Sequence, residues 1–354
     1  MDLSLLKYLV SPVSRKQLVQ AGEDFLKEID GDISYPFIEG IPVFLPNNTV
    51  ADWFNEGLEV LFWTRLNELL PSPPDLPWEE WFIRIKGIID NDGAEGIRHA
   101  IRQYAESDVT ERLSNPICAM ILQESSQCKA VSSKAVEDYL ALSTLEAGKY
   151  RAQQVREVVN LWAIHRQDYG ALVNESGGTL CVEFGTGAGF GTCSVLEQGL
   201  TFDRFISLDI DFACVGNALG LARVFGVEER VHPMVASYWF LPLQEGSVDV
   251  VCSHYGIDES REVGRTLSEI ARILKPGGRF VNVSRTDPTL RLSQFIGNLC
   301  FDKDELIDLV YQANLYPGPE RFIEIAKING LVLEDMKVFT PESHERALFC
   351  FRKR

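Results

Sequence analysis

The chain has no C-x-x-C pair and no cysteine at all before Cys118, so a zinc module near the amino terminus would have no thiolate ligands. No apolar run approaches the ~18–20 residues that a membrane helix needs. The opening MDLSLLKYLV has an acid at position 2 and no basic lead before its short apolar stretch, so a secretory signal is not expected. Positive charge is scarce: 34 bases face 51 acids, a net charge of −17. That balance repels polyanions at long range and disfavours DNA, free RNA and anionic membranes as partners. The G-K-[ST] of a P-loop is missing as well.

What is present is an ordinary globular composition, 45% hydrophobic over 354 residues, enough for one large domain or two modest ones. Eight cysteines, at 118, 128, 181, 193, 214, 252, 300 and 350, fall mostly in apolar stretches such as LCVEF and LFCF. Such placement fits buried free thiols in a reducing, cytoplasmic compartment.

Three textures follow one another. Residues 1–46 read as short strands with turn signals at Ala21-Gly22 and Asp30-Gly31, closing on YPFIEGIPVFLP. Residues 47–145 read as helices, with Trp53, Phe54, Leu58, Leu61 and Phe62 at three- and four-residue spacing. Four prolines between Pro71 and Pro77 mark a rigid connection there. Residues 51–140 hold 16 acids against 8 bases, a solvated acidic face or a docking surface for a basic partner. From 146 to 354 short Val-, Ile- and Phe-rich runs alternate with helical stretches. TLCVEF, RFISLDI, RVHPMVA, VDVVCSH and GRFVNVS have the pattern of parallel β-α-β crossovers. LVLEDMKVF and RALFCFRKR, separated by TPESHE, read as an antiparallel pair at the sheet edge.

The most informative stretch is LCVEFGTGAGFGT, residues 180–192. Glu183 ends a strand, and Gly185, Gly187, Gly189 and Gly191 follow at every second position, which lets backbone N–H groups approach a ligand. All three registers of G-x-G-x-x-G/A fail, at Phe190, Thr192 and Ser194. A carboxylate leading the loop would repel phosphate and could pair with an ammonium group. Asp209, 24 residues past Gly185 in ISLDID, is placed to accept both hydroxyls of a ribose. A ligand with a ribose and a cationic, non-phosphate tail satisfies both acids.

Over residues 146–354 the chain resembles the class I S-adenosylmethionine-dependent methyltransferases, of the methyltransferase type 11 kind. The likeness runs through VEFGTGAG, ISLDID, ASYWFLPLQEGSVDVVCSHYG and EIARILKPGGRFVNVS. It implies an α/β fold with a doubly wound, Rossmann-like, seven-stranded sheet, preceded here by the small strand-rich module and the helical region. It implies S-adenosylmethionine as cofactor and no metal. Carried over by residue, it gives Phe184, Gly185, Thr186, Gly187 and Gly189 to the loop around the methionine portion. Glu183 would neighbour the ammonium group, Asp209 the ribose and Ile210 the adenine. Ser237 stands where the family often has an acid contacting adenine, with Tyr238 or Trp239 available to stack. Lys275-Pro276-Gly277-Gly278 reads as a structural turn. Tyr150 and Arg151 begin the segment leading into the glycine loop, and Arg151 could reach the cofactor carboxylate. His254, after VVCS, is the candidate base or substrate-orienting group. His165, in VVNLWAIHRQ, reads as packing rather than catalysis.

Residues 3–46 resemble the Trm112-like module, through LLKYLVSPVSRKQL and YPFIEGIPVFLP. Ser11 and Ser14 stand at the positions of its zinc cysteines, so the expectation is a metal-free module serving the methyltransferase domain in cis. The region 47–145 and the segment 286–320 are the places for a substrate cap. The acidity points to a small molecule or a protein as acceptor. RNA stays as a minority reading, because relatives paired with Trm112-like modules act on tRNA, rRNA or release factors. The competing class is a methyltransferase fold that has lost catalysis and serves as a binding scaffold.

Overall fold

The computed structural model describes residues 3–22, 25–38, 40–44, 164–187, 189–209, 212–260, 263–287, 316–340 and 345–354. The helical region expected over 47–145, together with Tyr150, Arg151 and Ile210, lies outside them.

A 3-10 turn (Leu3–Tyr8) leads into β1 (Leu18–Ala21), β2 (Phe25–Glu28), β3 (Ser34–Ile38) and β4 (Ile41–Phe44). After the undescribed stretch come α1 (Ile164–Ser176), β5 (Leu180–Phe184), α2 (Phe190–Glu197), β6 (Arg204–Asp209), α3 (Phe212–Phe225), β7 (Val231–Ala236) and β8 (Val248–His254). They are followed by α4 (Val263–Ile273), β9 (Leu274–Arg285), α5 (Pro319–Ile328), β10 (Leu331–Phe339) and β11 (Arg346–Lys353). The strands form one mixed sheet in the order β1-β2-β3-β4-β7-β6-β5-β8-β9-β11-β10. The seven strands read between 179 and 354 lie side by side in it. β5 through β9 run parallel, as their alternation with helices requires. The carboxy-terminal pair is antiparallel and closes one edge of the sheet as expected, with β11 inserted antiparallel between β9 and the outermost β10.

Strand parity explains the layers. In β5, Val182 and Phe184 face the cluster covered by α4 and α5, whereas Cys181 faces the one covered by α1 and α2. All five β5 residues are buried, which is why the strand reads as an unbroken apolar run around Glu183. In α4 the buried Val263, Thr266, Leu267, Ile270, Ala271 and Ile273 recur at three- and four-residue spacing. The crossover turns are pinned at the opposite end of the sheet from the glycine loop. Asp249 Oδ2 accepts from the N–H groups of Thr179 and Leu180, each at 3.0 Å, and Oδ1 meets Lys275 Nζ at 2.6 Å. Lys275 is thereby a structural residue of its Pro-Gly-Gly turn. Cys181, Cys193, Cys252 and Cys350 are buried free thiols, and Cys181 and Cys252 have their sulfurs 3.7 Å apart. No helix of the described residues is long and apolar enough to cross a membrane.

The amino-terminal strands make an antiparallel meander turned by Gly22 and by Asp30-Gly31. It joins the main sheet through two parallel pairs, Val43 with Val235 and Phe44 with Ala236. Leu5, Leu9, Leu18, Leu26, Tyr35 and Phe44 are buried in the same cluster as Val235, Leu241 and Leu243. Backbone bonds from Val10 N–H to Pro242 O (3.0 Å) and from Gln244 N–H to Tyr8 O (2.8 Å) add to the joint. Ser11 Oγ lies 2.8 Å from the Tyr35 hydroxyl, and the Ser14 hydroxyl donates to Glu28 Oε1 at 2.5 Å. Both serines are thus held by hydrogen bonds inside the module.

Candidate functional site

The loop between β5 and α2 is shaped by hydrogen bonds from three directions. Gly185 and Thr186 N–H donate to Leu208 O of β6 at 2.9 and 3.2 Å. Gly187 N–H donates to Asp209 Oδ2 at 2.8 Å, and Asn217 Nδ2 of α3 donates to Gly187 O at 2.6 Å. The Thr186 and Ser207 hydroxyls are hydrogen-bonded beneath the loop. Gly185 has φ +73, and a Cβ there would collide with the Tyr238 hydroxyl and lie 2.6 Å from Gly256 Cα. The loop sits at the carboxyl ends of β5 and β8, where the order of a doubly wound sheet reverses and ligands bind. Asp209, 8% exposed, reaches it from the next strand.

Glu183 lies deeper than the sequence suggests. It is fully buried below α2, where Oε2 accepts from Thr192 Oγ1 at 2.5 Å and Ser207 Oγ at 2.9 Å. Oε1 is buried with no hydrogen-bond partner. Burial pushes the carboxyl up to about 7 against the pull of the Thr192 and Ser207 hydrogen bonds. Gly191 is a glycine for the same reason: a Cβ would lie 2.6 Å from Glu183 Oε1 and 2.9 Å from His254 Cβ.

On the β7 side, Ser237 is buried, and its Oγ accepts from Trp239 N–H at 3.2 Å. The Tyr238 ring stacks on Phe184 at 5.4 Å and 17°, so Tyr238 walls the loop near Gly185. Gly189 has φ +90 and precedes α2 as its left-handed cap residue. Phe184, Gly185, Thr186, Gly187, Asp209, Ser237 and Tyr238 therefore converge on one end of the sheet.

His254, the last residue of β8, meets a residue the sequence reading set aside. Its Nε2 is 3.1 Å from Nε2 of His165, with the rings stacked at 5.3 Å and 13°. Tyr169 and Tyr255 present edges to His254 at 5.5 and 4.6 Å. Burial, then the Arg346 and Arg166 charges, lower His165 to about 4. Burial, His165 and the same two arginines hold His254 well below the ordinary histidine range. Both imidazoles are neutral at pH 7, which suits orientation by hydrogen bonding better than strong general base action. The missed signal was parity. His254, Arg285 and Arg346 all fall on the α1 face of adjacent strands, but sequence gives the face of a strand only after the pairing is known.

Residues 182–282 match the family model of a methyltransferase domain. The span runs from β5 to β9 and contains the glycine loop, Asp209, Ser237 and His254. A ubiquinone/menaquinone biosynthesis C-methyltransferase of Rubrivivax gelatinosus is 34% identical over 31% of this chain and 43% of its own length. A dimethylglycine N-methyltransferase of Parasynechococcus marenigrum is 29% identical over 31% of this chain and 36% of its own. The chain thus spans less than half the length of the curated relatives it matches. The solved N-methyltransferase NodS of Bradyrhizobium japonicum, in complex with S-adenosyl-L-homocysteine, aligns with 16% identity and a TM-score of 0.42 over 53% of this chain and 85% of its own. The domain match and the relatives support an S-adenosylmethionine-dependent methyltransferase, without identifying the acceptor.

Proposed function

We propose that the chain transfers the methyl group of S-adenosylmethionine to a small-molecule or protein acceptor. The observation that carries this is the Gly185–Gly187 loop held by Asp209 at the reversal of the sheet. The residues present fit the cofactor. Gly185 keeps the backbone approachable, Asp209 offers a carboxylate to ribose hydroxyls, and Glu183 keeps a buried oxygen without a partner. Ile210 against adenine and Arg151 toward the carboxylate complete the proposed set, with Ser237 and Tyr238 on the adenine side. The cofactor supplies a methyl carbon bonded to a sulfonium. Transfer forms a bond from that carbon to the acceptor atom while the carbon–sulfur pair returns to sulfur, and a proton leaves an O–H, N–H or C–H acceptor. The protein's own part is to hold the acceptor in line and dry, with the neutral His254 orienting it through a hydrogen bond.

We read residues 1–46 as a Trm112-like module without zinc ligands, 47–145 as a possible substrate cap and 146–354 as the full methyltransferase domain. The hydrogen bonds from Arg15 to Leu241 O and to both oxygens of Glu269 and the shared apolar core favour a module that serves this domain in cis. The buried thiols favour a cytoplasmic setting. The scaffold alternative gains nothing from the family match.

The test is calorimetric titration of S-adenosylmethionine and S-adenosylhomocysteine into the wild type and Asp209→Ala. Micromolar binding weakened about a hundredfold by the substitution, ~2–3 kcal/mol for a lost charged partner, is expected. Absence of binding to either ligand overturns the reading.

A further inference from the structure

Tyr255 is the hub of a polar cluster that binding of the cofactor leaves unexplained. Around its ring stand His254 at 4.6 Å, His165 at 6.2 Å, and the guanidinium carbons of Arg285 at 5.2 Å and Arg346 at 5.9 Å. Arg346, the first residue of β11, pairs across the ladder with Arg285 at the end of β9, just past His254 of β8. The cluster therefore lies at the same end of the sheet as the glycine loop.

Its charges do not balance. Arg285 is matched by Asp258 at 3.2 Å. Arg346 makes no ion pair among the described residues, although it is only 7% exposed. Its Nε and the Tyr255 hydroxyl are both buried without a hydrogen-bond partner. A guanidinium cannot shed its proton to escape this, and a buried donor with no acceptor is costly, more so when charged. Tyr255 also holds a left-handed backbone, φ +67, a strain of the kind kept where a side chain must be aimed. Burial, moderated by Arg346, pushes its hydroxyl up to about 12, so it stays a donor throughout the physiological range. The guanidinium and the hydroxyl lie against each other, but Arg346 Nε and the Tyr255 hydroxyl proton find no acceptor outside the pair among the described residues. In a chain of net charge −17 an anion gains no long-range attraction, so recognition here rests on the direct pair.

We infer that Tyr255 and Arg346 form the acceptor subsite and that the acceptor places an oxygen anion there, a carboxylate or an ionised phenol. This rests on the methyltransferase reading and names the substrate class for it. The full-length protein, saturated with S-adenosylhomocysteine, is titrated calorimetrically with benzoate and 4-nitrophenolate and with their neutral counterparts benzamide and 4-nitroanisole. At least one anion is expected to bind tenfold or more tighter than its counterpart. Arg346→Gln is expected to erase that preference, Arg346→Lys to keep part of it, and Tyr255→Phe to reduce it severalfold, all with unchanged S-adenosylhomocysteine affinity. Whichever anion binds tells carboxylate from phenol. Equal binding of anion and neutral compound, or no binding of either, with S-adenosylhomocysteine still bound, overturns the subsite. Failure to bind S-adenosylhomocysteine overturns the methyltransferase reading instead, and the subsite with it. Should Arg346→Gln not fold, the wild-type preference and its severalfold reduction in Tyr255→Phe decide the matter.

Discussion

His165 and His254 touch through their Nε2 atoms at 3.1 Å. One of them must donate and the other accept, so at least one ring is neutral, and burial lowers both so that both are neutral at pH 7. Arg166 and Arg346 reinforce that state. The consequence for stability has a definite sign. His165 titrates at about 4 when folded and at about 6.5 when unfolded. Its contribution is therefore complete above pH ~6.5 and is lost as pH falls toward 4, because the unfolded chain binds the proton first. Between pH 7.5 and 5 the loss amounts to about 2 kcal/mol. Urea unfolding of the wild type and His165→Asn at both values should show a steeper acid loss in the wild type. Equal slopes would mean that the pair is not held neutral.

Glu183 has the opposite linkage. Its folded value of about 7 lies above the ordinary ~4.3 of a free glutamate, so ionisation costs stability as pH rises from 4.3 to 7, and the full cost persists above that. Glu183→Gln removes the charge and keeps an oxygen for Thr192 and Ser207. At pH 8 it should stabilise the ligand-free protein by on the order of 2 kcal/mol, with little gain at pH 4.5, as read from unfolding midpoints. The same substitution should weaken S-adenosylmethionine binding, since the unpaired Oε1 loses its charge. A variant less stable than the wild type at pH 8 would show that the buried carboxylate is compensated in the fold.

The strands between 179 and 354 were legible because each is an apolar run bounded by glycine, proline or charge, as LCVEF is by Gly177-Gly178 and Gly185. Asp209 was legible because a carboxylate closes a strand at a fixed interval after the loop. His165 was not, since an imidazole in VVNLWAIHRQ looks the same whether it packs or pairs, and its partner is 89 residues away. Arg346 and Tyr255 escaped for the same reason: their juxtaposition depends on β11 inserting between β9 and β10. The two-pair joint of β4 to β7 is also invisible in sequence, because a four-residue strand carries too little register signal of its own.

Two glycines of one loop should respond differently to alanine. At Gly185 a Cβ would meet the Tyr238 hydroxyl and Gly256 Cα, and φ is +73. At Gly187 φ is +51, but nothing lies within 4 Å of the added carbon. Gly187→Ala should therefore cost only the left-handed penalty, about 1–2 kcal/mol. Gly185→Ala should cost more and reduce S-adenosylhomocysteine affinity by tenfold or beyond, because relief requires shifting the backbone of the loop. Thermal unfolding and calorimetry on both variants check this. Equal effects would locate the constraint in φ alone.

Arg15 ties the amino-terminal strands to the carboxy-terminal α/β part of the chain. It holds a left-handed backbone, φ +62. Its guanidinium donates to Leu241 O at 2.8 Å and to both oxygens of Glu269 at 3.0 and 3.1 Å. Glu269 is buried, which raises its carboxyl, but Arg272 and then Arg15 more than reverse this and hold it below the ordinary range. The Arg15 side chain is 38% exposed, so screening limits what the pair contributes to about 1 kcal/mol. Because Leu9, Phe44, Val235 and Leu241 share one core, the strands and the domain should unfold together. Arg15→Ala should lower the midpoint by a few degrees while keeping a single cooperative transition, as seen by calorimetry and by tryptophan fluorescence. Two separated transitions in the variant would show that Arg15, rather than the common core, couples the two parts.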